Sequence, residues 1–362
     1  MRLLSPILQH VVYPALGRAG YFHSHRTRAL RVLTYHGVLP RGYWMADPYL
    51  DDPLVSIEAF RSHLTLLKRH YSVISPANFL RWLRTQEELP ERAVLLTCDD
   101  GLLNNLTVMV PILADEGLQC LFFTTGASAR NSTQMLWYVE LYLMLMESRG
   151  GFPAKQWRAL QVPAIPQERF EKQRCWHDLM KRLSSLEASI REEFLREAQE
   201  WWGLRRSWQQ RYFDDPALRE RFQLLRQPEM RQLVAAGMTI GSHTMSHPVL
   251  SAQPTELARL EISDCRTELQ QACGEAPWAI AYPFGEPSSV GKREYEMAEK
   301  AGYDCGFVNV AGHPMEASRF CLPRVHVTAG MGLGVYEAHL SGFHERLRSR
   351  FRASGSGEAA LV

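Results

Sequence analysis

Two polar strings, each placed directly after an apolar, β-prone run, constrain the fold of this chain more than any other feature. The first is Cys98-Asp99-Asp100-Gly101, after Ala93-Val94-Leu95-Leu96-Thr97. The second is His243-Thr244-Met245-Ser246-His247, after Met238-Thr239-Ile240-Gly241-Ser242. Parallel strands deliver side chains from distant segments to one carboxyl edge, and paired acids and paired imidazoles at strand ends suit such an edge. A single turn of helix over 243–247 would put both imidazoles on one face.

The chain between and around these strings alternates. Residues 30–35 read as a strand that ends in a turn. Ser56 is placed to cap a helix whose Phe60, Leu64 and Leu67 form an apolar stripe. A short strand at 71–74, a helix over 77–84, the strand at 93–97, a helix over 104–116 closed by Gly117, and a strand at 121–123 follow. This is the pattern of a parallel sheet with crossover helices. It stops over 127–230, a stretch rich in Trp, Arg, Glu and Gln that reads as helical. Trp137, Trp157, Trp176, Trp201, Trp202 and Trp208 fall there, suited to stacking on sugar rings or, more simply, to anchoring small helices. Alternation resumes with strands near 238–242, 278–282, 305–308 and 322–327, and a helix is expected over 335–351. The expected organisation is a docking segment over 1–29, an α/β barrel over 30–330 interrupted by a mostly helical insertion at 127–230, and a C-terminal helix with a flexible tail over 331–362.

With 362 residues, 46% apolar and 22% charged, the chain has the material for a full core. A net charge of +2 provides no general field for a polyanion, so nucleic acid is not an expected partner. Seven cysteines, an odd number with no Cys-x-x-Cys pair, favour reduced thiols and a reducing, cytoplasmic compartment. Prolines and polar residues interrupt the apolar N-terminus, which does not read as an export signal, and no run approaches the roughly 18 apolar residues of a membrane span. Peripheral contact with the inner face of a membrane remains an option, because Arg18, Arg26, Arg28 and Arg31 follow the N-terminal segment and Arg346, Arg348, Arg350 and Arg352 end the last helix.

Asp100, His243 and His247 offer one carboxylate and two imidazoles, a donor set for a divalent metal: zinc first, with cobalt, nickel or manganese also acceptable. Such a site activates water, and Asp99 next door is placed to act as general base. A third string, Ala281-Tyr282-Pro283-Phe284-Gly285, follows another strand; it is either a plain rigid turn or a turn that offers a backbone N–H to an oxyanion. A fourth, Leu322-Pro323-Arg324-Val325-His326, offers Arg324 to pair with an acid and His326 to donate a proton.

Thr97-Cys98-Asp99-Asp100-Gly101, His243-Thr244-x-x-His247 and Tyr282-Pro283-Phe284-Gly285 together resemble the polysaccharide deacetylase family, the NodB-homology domain of carbohydrate esterase family four. Leu33-Thr34-Tyr35-His36-Gly37-Val38 and Leu322-Pro323-Arg324 resemble its Tyr-Pro-x-Gly branch. The resemblance spans about residues 30–126 and 236–327 and leaves out the insertion. It implies a distorted (β/α) barrel and hydrolysis of an N-acetyl group on a sugar. It also implies Asp99 as base, Asp100, His243 and His247 as metal ligands, the Tyr282 N–H as oxyanion donor and Arg324 as orienter of Asp99. Cys98 replaces the family's usual phenylalanine, and Val325-His326 only approximates its Leu-x-His.

The expected function is metal-dependent removal of N-acetyl groups from a sugar, polymeric or lipid-linked, of the kind made in exopolysaccharide biosynthesis. The alternatives are an O-acetyl esterase or deformylase on the same fold, or a catalytically silent glycan-binding protein.

Overall fold

Among the described residues nine strands form one sheet in which every pairing is parallel. They are β1 (Arg31–Tyr35), β2 (Ser72–Ile74), β3 (Ala93–Cys98), β4 (Leu121–Thr124), β5 (Thr239–Ser242), β6 (Ala279–Ala281), β7 (Cys305–Val308), β8 (Leu322–Pro323) and β9 (Val325–His326). The structure is a computed structural model and describes residues 5–24, 30–130, 134–148, 166–310, 312, 314 and 317–347. The order across the sheet is β8-β7-β6-β5-β4-β3-β1-β9, with β2 paired to the lower half of β3.

One short segment draws the two edges together. β8 pairs with β7 and β9 pairs with β1, and only Arg324 lies between them. The Arg324 N–H donates to the Val308 carbonyl at 3.1 Å, and the Val327 N–H donates to the Thr34 carbonyl at 2.9 Å. The result is a nearly closed, irregular (β/α) barrel. Its strands read as apolar runs because both faces are covered.

Alternation along each strand sorts the core into two layers. Leu33, Tyr35, Val94, Leu96, Cys98 and Phe122 pack outward with Phe60, Leu64 and Leu67 of the helix Ile57–His70. Ser56 caps that helix by accepting from the Ala59 N–H, as its sequence position leads one to expect. Val32, Leu95, Phe123, Ala281 and Phe307 pack in the other layer with Phe79, Trp82 and Leu83 of the helix Pro76–Thr85. Cys98 belongs to the outer layer, so the next residue, Asp99, turns the other way.

The segment between β4 and β5 is helical, with no strand among the described residues. Its helices Trp137–Glu147, Arg169–Leu183 and Ala188–Trp201 share a core around Tyr142, Leu179, Phe194, Trp202, Trp208 and Tyr212. That core also takes in Leu50 of the short helix Pro48–Asp51, Leu54 and Leu102 from the connecting segments of the barrel. Trp137, Trp202 and Trp208 are buried there, and Trp176 and Trp201 are partly buried against it, so these tryptophans anchor helices; Trp157 lies outside the described residues.

At the N-terminus, Tyr13 and Phe22 bury against Val335 and Ala338 of the helix Leu333–Leu340. The long C-terminal helix expected from the sequence breaks at Gly342, where φ is 72°, and resumes over 343–347. Arg348, Arg350 and Arg352 lie outside the described residues. All seven cysteines are free. No described helix is long and apolar enough to cross a membrane.

Candidate active site

β3 ends by delivering Asp99 to the barrel mouth, and the β8–β9 junction delivers Arg324 to meet it. Arg324 Nη1 donates to Asp99 Oδ1 and Nη2 to Oδ2, both at 2.7 Å. The pair is fully enclosed, with side chains 0% and 1% exposed. Thr97 Oγ1 adds a contact to Nη1 at 3.3 Å, and the guanidinium lies over the Phe123 and Phe307 rings. A planar fork matched to a carboxylate fixes both its position and its plane. Burial pushes the Asp99 carboxyl up, but Arg324 and then His243 outweigh that and hold it below the usual carboxylate range. Asp99 is therefore ionised and aligned.

Asp100 leaves the strand with φ 74°, followed by Gly101 at φ 67°. A Cβ on Gly101 would sit 2.8 Å from Thr124 Cγ2, so only glycine fits this turn. The turn aims Asp100 at the end of β5. There His243 follows the strand directly, and its Nδ1 lies 2.8 Å from the Ala281 carbonyl. That bond places the proton on Nδ1 and leaves the Nε2 lone pair directed at Asp100. His247 arrives differently from expectation. Residues 243–247 form no helical turn; Thr244 at φ 63° and His247 at φ 56° are both left-handed, and the loop between them folds the second imidazole back. Such conformations cost about 1–3 kcal/mol each and persist where the surroundings enforce them.

The three donors lie within 4.8 Å of one another and are all buried. Asp100 Oδ1 is 3.6 Å from His243 Nε2 and 3.5 Å from His247 Nε2, too far for good hydrogen bonds. Two ligands each about 2.1 Å from a tetrahedral ion stand about 3.4 Å apart. Asp100 Oδ1 is buried with no hydrogen-bond partner among the described residues. A carboxylate oxygen orphaned between two imidazole nitrogens at this spacing fits a divalent cation. Asp100 is also held well below the usual range, since the two histidines override the upward push of burial.

The third string departs from expectation. The Tyr282 N–H donates to the Phe307 carbonyl at 3.1 Å, carrying the β6–β7 ladder to the last residue of the apolar 278–282 run. It is thus committed to the sheet and not offered to a ligand. The next non-proline residue, Phe284, sits at φ 63° at the centre of a tight turn closed by the Gly285 N–H on the Pro283 carbonyl at 2.7 Å. Among the described residues the Phe284 N–H has no partner, and the ring packs 5.1 Å from that of His247. His326, at the end of β9, is exposed at the rim with its ring 4.7 Å from that of His36. Burial of its surroundings and the neighbouring His36 lower its pKa, so it is neutral at pH 7.

Comparison with known proteins follows the same lines. The family model described as "Polysaccharide deacetylase" matches residues 204–306, which include the paired histidines and the Tyr-Pro-Phe-Gly turn. The chain is also 28% identical over 120 residues to YxkH of Bacillus subtilis (strain 168), a protein named for the same family. That stretch is 32% of this chain and only 41% of that relative. In structure the chain is similar to the Streptococcus pyogenes deacetylase PplD, solved with acetate (TM-score 0.55, 16% identity, 86% of this chain and 98% of that one). It is also similar to IcaB from Ammonifex degensii (TM-score 0.51, 17% identity, 87% and 98%) and to a de-N-acetylase from Aggregatibacter actinomycetemcomitans (TM-score 0.50, 15% identity, 86% and 99%). At such identities the structural likeness is one of fold. Over residues 204–306 the chain resembles the polysaccharide deacetylase family, and its barrel is similar in fold to these solved deacetylases.

Within this fold, two residues at the site were given no role from the sequence, although His36 stands in one of the quoted strings. His36, at the end of β1, acts electrostatically on both Asp99 and Asp100, and its Nδ1 is buried without a hydrogen-bond partner among the described residues. A signal was available, since His36-Gly37 ends a strand as Asp100-Gly101 nearly does. Tyr138, on the insertion helix Trp137–Glu147, places its hydroxyl 3.3 Å from Asp100 Oδ2. Nothing local in the sequence marks it.

Proposed function

We propose that the chain is a cation-dependent hydrolase that removes N-acetyl groups from an amino sugar. One observation carries the reading: an ionised carboxylate locked by a buried arginine stands beside a second carboxylate whose free oxygen faces two imidazoles at cation-ligand spacing. Asp100, His243 and His247 would hold the cation, and zinc suits this donor set, with cobalt, nickel and manganese as alternatives. A divalent cation there supplies Lewis-acid polarisation of a carbonyl oxygen and lowers the pKa of a coordinated water.

The protein's own groups do the rest. Asp99, unprotonated at neutral pH and unable to rotate, accepts the proton of the attacking water. The Phe284 N–H takes the oxyanion-donor place expected of Tyr282, at the turn beside His247. His326 and His36, with rings 4.7 Å apart, both interact electrostatically with the acid pair, which supports this histidine pair as the relay of a proton to the departing amine. His326 is exposed, and the substrate of this reading is a sugar on a polymer or on a lipid carrier, such as a precursor handled at the inner face of a membrane.

The test is acetate release from N-acetylhexosamine oligomers and a lipid-linked analogue, with O-acetylated sugars in parallel, before and after chelation and Zn2+ add-back. Wild type is expected to release acetate from N-acetyl substrates in a chelator-sensitive way. Asp99→Asn is expected to bind Zn2+ and lose at least about 100-fold in turnover, the usual range for a general base. Full activity in Asp99→Asn, or release from O-acetyl sugars alone, would sink the assignment.

A further inference from the structure

The insertion touches every ligand-bearing loop of the candidate cation site. Tyr138 donates to Asp100 Oδ2 at 3.3 Å, the carboxylate oxygen other than the Oδ1 that faces both imidazoles. Its ring lies 5.3 Å from that of His247 and 6.4 Å from that of Phe284. The preceding residue, Trp137, donates from Nε1 to the His247 carbonyl at 3.0 Å. Arg191, buried on the helix Ala188–Trp201, lies over the Trp137 ring and donates to the Ser246 carbonyl at 2.8 Å. At the insertion's exit, the Leu225 N–H donates to the Gly101 carbonyl at 2.7 Å and the Leu103 N–H to the Gln223 carbonyl at 2.7 Å. The left-handed turns that aim Asp100 and His247 are thus clamped from the insertion side.

We infer that Tyr138 is a positioning residue for the cation site, and that through it and Trp137 the insertion sets the ligand geometry rather than merely decorating the barrel. The inference rests on the cation reading given under Proposed function. An aspartate ligand can turn about its last torsion and present either oxygen. A hydroxyl on Oδ2 holds that oxygen back and leaves Oδ1 for the cation, while the indole bond stops the His247 backbone from swinging. At 3.3 Å the Tyr138 contact is at the long end for a hydroxyl and a carboxylate, so its effect is on direction rather than on fold stability. The backbone of Tyr138 is itself held, since Trp176 Nε1 donates to its carbonyl at 2.8 Å.

The test measures Zn2+ affinity of the full chain by chelator competition, and the visible spectrum of the Co2+-substituted protein, for wild type, Tyr138→Phe and Trp137→Phe. Removing a partner of a metal ligand costs roughly 10–100-fold in affinity, and that loss is expected in both variants. Tyr138→Phe is also expected to change the Co2+ bands while the melting temperature of the metal-free protein stays at the wild-type value. Zn2+ affinity within about twofold of wild type in Tyr138→Phe, far below that expected loss, with unchanged Co2+ bands, would overturn the inference. So would a drop in metal-free stability large enough to explain the lost affinity, which would assign Tyr138 to folding. If wild type itself binds neither cation, the cation reading falls and takes this inference with it.

Discussion

Arg324→Met isolates the ion pair on which the base assignment depends. The substitution keeps a long apolar stem between Phe123 and Phe307 but removes both 2.7 Å bonds to Asp99. Asp99 is 1% exposed, so water cannot replace them. Removing one partner of a buried ion pair costs about 3–5 kcal/mol, because a bare charge is left behind. Chemical denaturation at pH 7 should show a fall of that order in unfolding free energy. Asp99→Asn in the Arg324→Met background removes the stranded charge and should recover a substantial part of it. The double-mutant cycle should give a coupling of about 2 kcal/mol or more, within the range seen for residues in contact. Arg324→Lys keeps the charge but not the fork and should fall between wild type and Arg324→Met. Turnover should collapse in Arg324→Met while Zn2+ binding survives, since no ligand is altered. A loss under about 1 kcal/mol for Arg324→Met, or strictly additive single substitutions, would refute the argument that burial makes this pair indispensable.

Two further outcomes follow from other parts of the fold. His63 is 1% exposed and stacks on Tyr336 with ring centroids 4.0 Å apart. Burial lowers its pKa from 6.5 to about 4. Below pH 6.5 the unfolded chain takes up a proton that the native protein refuses until about pH 4, so stability is lost as pH falls across that window, by up to about 3 kcal/mol. Unfolding measured from pH 7 to 4 should show a shallower decline in His63→Phe; the wild-type slope in the variant would exclude His63 as its source. Gly101→Ala forces a side chain into φ 67° and against Thr124, and should cost roughly 1–3 kcal/mol and weaken Zn2+ binding by turning Asp100 away. Wild-type melting temperature and Zn2+ affinity in that variant would show the turn to be permissive.

The candidate ligands and base were legible because each sits at the end of a strand whose apolar run marks it. Asp99, Asp100 and His243 needed only the direction of the strands to be placed together. His247 was identified for the wrong local reason: a four-residue spacing suits a helix, but the loop reaches the same convergence through left-handed Thr244 and His247. The Tyr282 N–H is taken up by pairing with β7, which depends on that strand and not on the string itself. From its own string Arg324 was readable only as a cation that needed an acid; the family resemblance alone pointed to Asp99, which lies 225 residues away. The expected long C-terminal helix failed at Gly342, whose left-handed φ ends it.

Local pattern by itself determined that this chain alternates strands and helices, that it carries a long helical interruption, and which acids and imidazoles stand at strand ends. Those are properties of neighbours a few residues apart, where periodicity, caps and turn glycines act directly on the backbone. Tertiary structure alone decided that the 322–326 segment joins both sheet edges and so turns Arg324 onto Asp99. It alone decided that the insertion folds back to put Tyr138 on Asp100 and Trp137 on His247. Contacts of that kind join residues that no local rule relates, and they form only when the sheet closes and the summed burial of many apolar side chains holds it closed.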